Sequence, residues 1–218
     1  MERKPGTVLI LLGVFLILAA VMLTLWNRSQ ARRAGESAEN AVGHLQRILE
    51  PRELPARETQ PLSSDSPVLP ERSEREYPDF LLNPRMEMPV ETIDGRDYIG
   101  VLKIPALELE LPVISQWSYP ALQVAPARYD GSAYLDNLVI AAHNYDSHFG
   151  RIHSLCQGDR LTFTDMDGNV FVYEAEAVET LRPADVEEMR GGDWDLTLFT
   201  CTLGGKFRVA VRCSRVEA

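Results

Sequence analysis

Residues 196–211 read Leu196-Thr197-Leu198-Phe199-Thr200-Cys201-Thr202-Leu203-Gly204-Gly205-Lys206-Phe207-Arg208-Val209-Ala210-Val211. Two short apolar runs, Leu196–Thr200 and Phe207–Val211, flank a Leu-Gly-Gly turn, the pattern of two antiparallel strands joined by a hairpin. The same pattern recurs upstream. Arg160–Thr164 and Val170–Val178 flank Asp165-Met166-Asp167-Gly168-Asn169, and Asp-Gly between alternating runs is a strong hairpin signal. Leu138-Val139-Ile140-Ala141-Ala142 is a continuous apolar run suited to a buried strand. Ile99, Val101 and Ile104, then Leu107, Leu109, Leu111 and Val113, alternate on either side of Pro105 and predict two more strands. Helical character is confined to Ser147–Leu155 and Pro183–Arg190. Many short strands at hairpin spacing predict a mostly-β domain, a closed or nearly closed antiparallel barrel or a sandwich.

Ahead of this domain the chain changes character twice. Thr7–Trp26 reads TVLILLGVFLILAAVMLTLW, and no charged side chain lies between Pro5 and Asn27. About 20 apolar residues at 1.5 Å each match a hydrocarbon core of roughly 30 Å, which predicts one N-terminal transmembrane helix. A cleavable signal sequence is the competing reading, with Arg3 and Lys4 as its basic end, but its apolar core is usually about 7–15 residues. Basic residues on both flanks, Arg3 and Lys4 before and Arg28, Arg32 and Arg33 after, leave the orientation open. Arg28–Leu49 is polar with a weak helical pattern, and eight prolines follow between Pro51 and Pro89. Such sequence favours extended, poorly packed backbone and predicts a stalk. The expected division is 1–27 anchor, 28–90 Pro-rich linker and 91–218 folded domain.

Composition narrows the function. A net charge of -10 over 218 residues argues against nucleic-acid binding, which needs clustered Lys and Arg. Three cysteines, Cys156, Cys201 and Cys213, are too few for a disulfide scaffold and leave at least one thiol free. No phosphate loop, dinucleotide fingerprint or dense ligand cluster implies a cofactor or a metal. Asp165–Asn169 spaces oxygens as a calcium loop does, but it lacks the closing Glu and its flanks read as strands. Glu174, Glu176, Glu179, Glu187 and Glu188 read as a solvated face, with a weak divalent-ion site as the alternative.

The residues able to do chemistry sit at strand ends. Cys201 closes its strand ahead of the turn, and Arg208 opens the returning one, so the hairpin brings the two together. A guanidinium beside a thiol favours thiolate and can hold an oxyanion. His143 ends the 138–142 strand. An isolated thiol with a pKa of about 8.5 is only slightly ionised at neutral pH, and an imidazole can activate it and later protonate a leaving amine. Arg212, on the same face as Arg208, reads as an ordinary surface charge. His148 and His153 share no helix face with His143 and read as non-catalytic; Cys156 and Cys213 read as packing residues. A Cys201–Cys213 disulfide, conceivable between adjacent strands, would silence the site. Trp117, Tyr119, Leu181 and Trp194 are candidate linings of a peptide groove or, equally, ordinary aromatic and apolar packing.

Thr197-Leu198-Phe199-Thr200-Cys201 resembles the T-L-x-T-C signature of the sortases. Leu138–Asn144 is similar to that family's strand-ending histidine motif, Lys206–Val211 to its arginine strand, and Tyr98–Pro105 to its opening strand. Two departures are Ala142, where Gly more often precedes the His, and the short Thr202–Phe207 loop. The His143-Asn144 pair is reminiscent of class B, and the class stays open between class B-like and a small clostridial type. The resemblance implies a closed eight-stranded β-barrel and a cysteine transpeptidase of surface proteins. Cys201 would be the nucleophile, His143 the general acid and base, and Arg208 the group that holds substrate and oxyanion. The implied partners are a sorting-motif peptide and an amine from a cell-wall precursor or a pilin. The implied location is the cell membrane, single-pass, with the catalytic domain outside. Two alternatives stay open: a cysteine peptidase with water as acceptor, and a membrane-tethered binding module without activity.

Overall fold

The computed structural model describes residues 5–49 and 77–216. Its strands are β1 (Glu91–Ile93), β2 (Arg96–Ile104), β3 (Leu109–Ile114), β4 (Ala127–Asp130), β5 (Leu138–Ala141), β6 (Arg160–Asp165), β7 (Val170–Leu181), β8 (Leu196–Cys201) and β9 (Arg208–Val216). Around them lie the helices α1 (Pro5–Leu49), α2 (Asp79–Leu82), α3 (Tyr119–Leu122) and α4 (Val186–Arg190). The sheet runs β1-β2-β3-β4-β5-β8-β9-β7-β6, and β6 pairs back onto β2. That pairing closes β2–β9 into an eight-stranded barrel, with β1 as a short flap on β2.

The barrel is mixed rather than wholly antiparallel. β3 pairs with β4 and β5 with β8 in parallel, while the other pairings are antiparallel. Parallel neighbours need crossover connections, and both connections are present: residues 115–126 with α3, and residues 142–195. The second encloses the β6–β7 hairpin and α4, so consecutive apolar runs in the sequence do not pair as neighbours. Closure also needs a close backbone approach at Gly100, where β2 turns between its two partners. A Cβ there would run into the carbonyl oxygen of Thr164.

Period-two alternation sorts the side chains into two layers. Leu102, Ile104, Leu138, Ile140, Phe163, Phe171, Tyr173, Leu196, Leu198 and Val211 fill the interior. Tyr98, Val101, Ile114, Val139, Ala141, Phe199 and Ala210 form an outer layer, covered by α1, α3 and α4. The Asp-Gly hairpin forms as expected: Asp165, fully buried, accepts hydrogen bonds from the backbone of Asp167 and Asn169, the Asn169 amide and the Tyr134 hydroxyl. Its carboxylate is thereby committed to the turn and the core.

Two stretches depart from expectation. Arg28–Leu49, read as the start of a linker, continues α1 without a break and docks on the barrel. Ala34, Ala38, Ala41, Val42 and Leu45 are all buried. Their spacing of 4, 3, 1 and 3 residues makes an apolar stripe narrow enough to hide in a polar sequence. Small side chains in the stripe let the helix lie close to β3 and to the loop after β5. The Pro-rich stretch lies mostly outside the described residues, but its end also packs: Phe80 stacks on Tyr134 with ring centroids 4.7 Å apart, and Met88 is buried. Ser147–Leu155, expected to be helical, is a series of turns with one 3-10 turn at Ile152–Ser154. Here the chain folds back on itself instead of advancing as a helix: Phe149 and Gly150 N–H donate to the His143 and Tyr145 carbonyls, and a Cβ at Gly150 would run into the Asn144 carbonyl oxygen.

Candidate active site

Strand register builds the site. β5 and β8 run parallel with Leu138 opposite Leu196 and Ala141 opposite Phe199, so the next positions on this register set His143 level with Cys201. Beyond the last strand pair the alignment is held by Ala142 N–H donating to the Phe199 carbonyl at 3.1 Å. The Thr200 hydroxyl donates to the Ala142 carbonyl at 2.8 Å. On the other side, Cys201 pairs directly with Arg208. Val139, Ala141 and His143 share the outer face of their strand, as do Thr197, Phe199 and Cys201, and Arg208, Ala210 and Arg212. An imidazole, a thiol and a guanidinium therefore stand in one row at one end of the barrel.

All three line a cleft of about 210 Å³. Trp117, Tyr119, Leu122, Tyr129, Met189 and Phe199 give it an apolar wall. Of the four candidate groove residues, Trp117 and Tyr119 are here, while Leu181 and Trp194 line a separate surface cleft beside Glu187 and Glu188. Cys201 and His143 are half-buried. Burial pulls the His143 pKa below the ordinary histidine value by penalising the charged form, so the neutral imidazole is favoured. That ring is suited to accept a proton before it donates one.

The turn after Cys201 is tightly specified. Gly204 and Gly205 take φ of 83° and 71°, which side chains with a Cβ rarely adopt. Thr202 closes the turn through its N–H to the Phe207 carbonyl (3.0 Å) and its Oγ1, which accepts from Phe207 N–H (3.1 Å). Arg208 Nη1 donates to the carbonyls of Gly205 and Phe207, each at 3.1 Å. Its Nε and Nη2 make no hydrogen bond among the described residues.

Arg212 is not a surface charge. It is 2% exposed, pairs with Glu179 at 3.0 Å, donates to Thr197 Oγ1 and caps the Glu188 and Met189 carbonyls. It therefore pins α4, whose Val186 and Met189 face the cleft. A second fastening comes from Arg190, which pairs with Asp130 at 2.8 Å and lies over the Tyr129 ring at 5.2 Å. Neither contact is visible in sequence, because both bridge segments remote in the chain.

His148 lies away from the cleft, fully buried under α1, with neither ring nitrogen hydrogen-bonded among the described residues. Tyr145 stands between it and His143, with ring centroids 5.6 Å and 5.0 Å away. His153 is at the surface, bonded to the Gly150 carbonyl. Cys213 pairs with Leu196, at the opposite end of β8 from Cys201. Five residues of strand, roughly 16 Å, separate the two thiols, far beyond disulfide reach. Burial pushes the Cys213 thiol up to about 12, which suits an inert core residue. Cys156 is exposed and free. Glu174 pairs with Arg160 and Glu176 accepts from Gln157, so these acids serve the surface of the β6–β7 ribbon.

A closed eight-stranded mixed barrel with a thiol between an imidazole and a guanidinium defines a narrow class. The model of the Sortase domain matches residues 102–216, more than half of the chain, and the chain belongs to the sortase family. It is 30% identical over 117 residues to Sortase A of Bacillus anthracis, an alignment that takes in 50% of this chain and 55% of that protein. The chain thus spans about half the length of the curated relative it matches. Sortase A from Corynebacterium diphtheriae is similar over 67% of this chain and 73% of its own, with a TM-score of 0.50 and 23% identity. A Clostridium perfringens Sortase D5 transpeptidase is similar over 58% of this chain and 83% of its own, with a TM-score of 0.50 and 22% identity. Both likenesses concern the fold.

Proposed function

We propose that the chain is a membrane-anchored cysteine transpeptidase that cleaves a short sorting motif in surface proteins and passes the acyl group to an amine of the cell wall or of a pilin. The observation that carries this reading is the row His143–Cys201–Arg208 on adjacent strands, opening into an apolar cleft. Sortase membership and the apolar helix at the N-terminus support it. In this reading residues 1–27 anchor the chain, 91–218 carry the chemistry, and the barrel faces the outside of the cell.

The chemistry follows from the groups present. Neutral His143 takes the thiol proton as Cys201 Sγ attacks the scissile carbonyl. Arg208 donates to the oxygen as it gains charge. The C–N bond then breaks, the imidazolium gives its proton to the leaving amine, and a Cys201 thioester is left. An acceptor amine attacks that thioester, loses its proton to His143, and restores the thiol as the new amide forms. No cofactor enters the cycle.

Peptide substrates and an added amine test the proposal. With sorting-motif peptides, product joined to the amine is expected in amounts that rise with acceptor concentration. Hydrolysed peptide alone, unaffected by acceptor, would assign the chain as a peptidase. No conversion of any peptide would favour a binding module.

A further inference from the structure

The direction of α1 fixes which end of the barrel meets the membrane. Its apolar stretch ends at Trp26, and Arg28 is the first charge after it. Only three residues later, about 4.5 Å along the helix, the Ala31 carbonyl accepts a hydrogen bond from Ser147. Ser147 lies in the loop that follows His143, and Gly35 packs against the same serine. The helix then runs away from the site. Gln46, about 22 Å further along, donates to Glu110 near the start of β3. Strand β3 ends at Ile114, which pairs with Ala127, which in turn pairs with Ala141 beside the site. Glu110 is therefore four residues, about 13 Å, toward the opposite end of the barrel. The end that carries Cys201 is the end from which the apolar segment departs.

That end also displays uncovered apolar side chains. The turn beyond Cys201 exposes Leu203 at 95% and Phe207 at 45%, and Tyr119 beside the cleft is 73% exposed. Arg28 lies in the short interval between the apolar stretch and the barrel, with Arg32 and Arg33 in the next turn; all three are exposed, and juxtamembrane cations attract anionic phospholipid headgroups. We propose that the Cys201 end of the barrel faces the bilayer in which α1 is anchored, and that the β8–β9 turn, led by Leu203 and Phe207, rests on the phospholipid surface. This orientation rests on α1 being a retained membrane anchor. Continuity of the helix from span to barrel is what selects lipid as the occupant: a rigid connection this short leaves little room between the rim and the bilayer.

The test is lipid photo-crosslinking of the full chain in vesicles of phosphatidylglycerol and phosphatidylethanolamine. p-Benzoylphenylalanine replaces Leu203, or Ala106 in the exposed β2–β3 turn at the opposite end, or Leu16 within the apolar stretch. Lipid adducts are counted by mass spectrometry after irradiation. The expected result is labelling at 203 at least tenfold above labelling at 106, with strong labelling at 16. Labelling at 16 with 203 no higher than 106 would overturn the orientation and leave the anchor standing. No labelling at 16 would remove the anchor reading, and the orientation with it.

Discussion

His148 makes the stability of the barrel fall in mild acid. The ring is fully buried under α1, and the backbone of Ala34 and Val124 lies near its nitrogens without reaching hydrogen-bond geometry, so neither nitrogen is hydrogen-bonded among the described residues. Burial lowers its pKa to about 4, with the nearby backbone of Ala34 and Val124 opposing the shift and the charge of His143 adding to it. In the unfolded chain the same imidazole titrates near 6.5. The folded value is the lower one, so the unfolded chain binds the extra proton between the two. Stability is full above pH 6.5 and declines as pH falls toward 4. Single-site linkage gives a loss of about 2 kcal/mol at pH 5 and about 3 kcal/mol at pH 4, relative to pH 7.5. His148→Leu removes this dependence and costs little at neutral pH, because it also removes two unpartnered polar atoms. The assay is urea unfolding of residues 28–218 at pH 7.5 and 5, followed by near-ultraviolet circular dichroism, in wild type and variant. Wild type should lose about 2 kcal/mol more than His148→Leu on acidification. An equal loss in both would refute the burial argument.

Three further outcomes follow from the site and its supports. Arg208→Ala should lower the rate of acylation by about 10² or more, with Arg208→Lys recovering part of it, as read from single-turnover kinetics. Arg212→Ala leaves Thr197 and the α4 carbonyls without their donor; we expect about 2–3 kcal/mol lower stability and a raised KM for peptide, with a smaller change in kcat. Because burial holds His143 toward its neutral form, the acid limb of kcat/KM should fall below pH 6.5, and a limb above that value would contradict the geometry.

What could be read from the sequence depended on the range of the signal. Strand alternation and the Asp-Gly and Gly-Gly turns are local, so the hairpins at 160–178 and 196–211 and the Cys201–Arg208 pairing were legible. β4 was not, because Ala127–Asp130 is four residues with no apolar period, and it is a strand only through its neighbours β3 and β5. The parallel pairing of β5 with β8 joins positions 58 apart and leaves no local trace. The docking half of α1 was hidden for another reason: a stripe of alanines contributes little hydropathy, yet small residues are what a close helix-to-barrel contact needs. Arg212 resembled its surface neighbours in sequence, and only the return of α4 over β9 buries it. His148 gave no signal beyond being a histidine, since its burial is made by a helix more than a hundred residues away.

The proposed mechanism turns on Cys201 carrying the acyl group. It is tested most directly by incubating the chain with sorting-motif peptides without acceptor and measuring intact mass, then mapping the adduct. One thioester is expected, on Cys201 and not on Cys156 or Cys213, discharged by an added amine and absent in Cys201→Ala. Peptide cleavage that persists in Cys201→Ala, or an adduct on another residue, would contradict it.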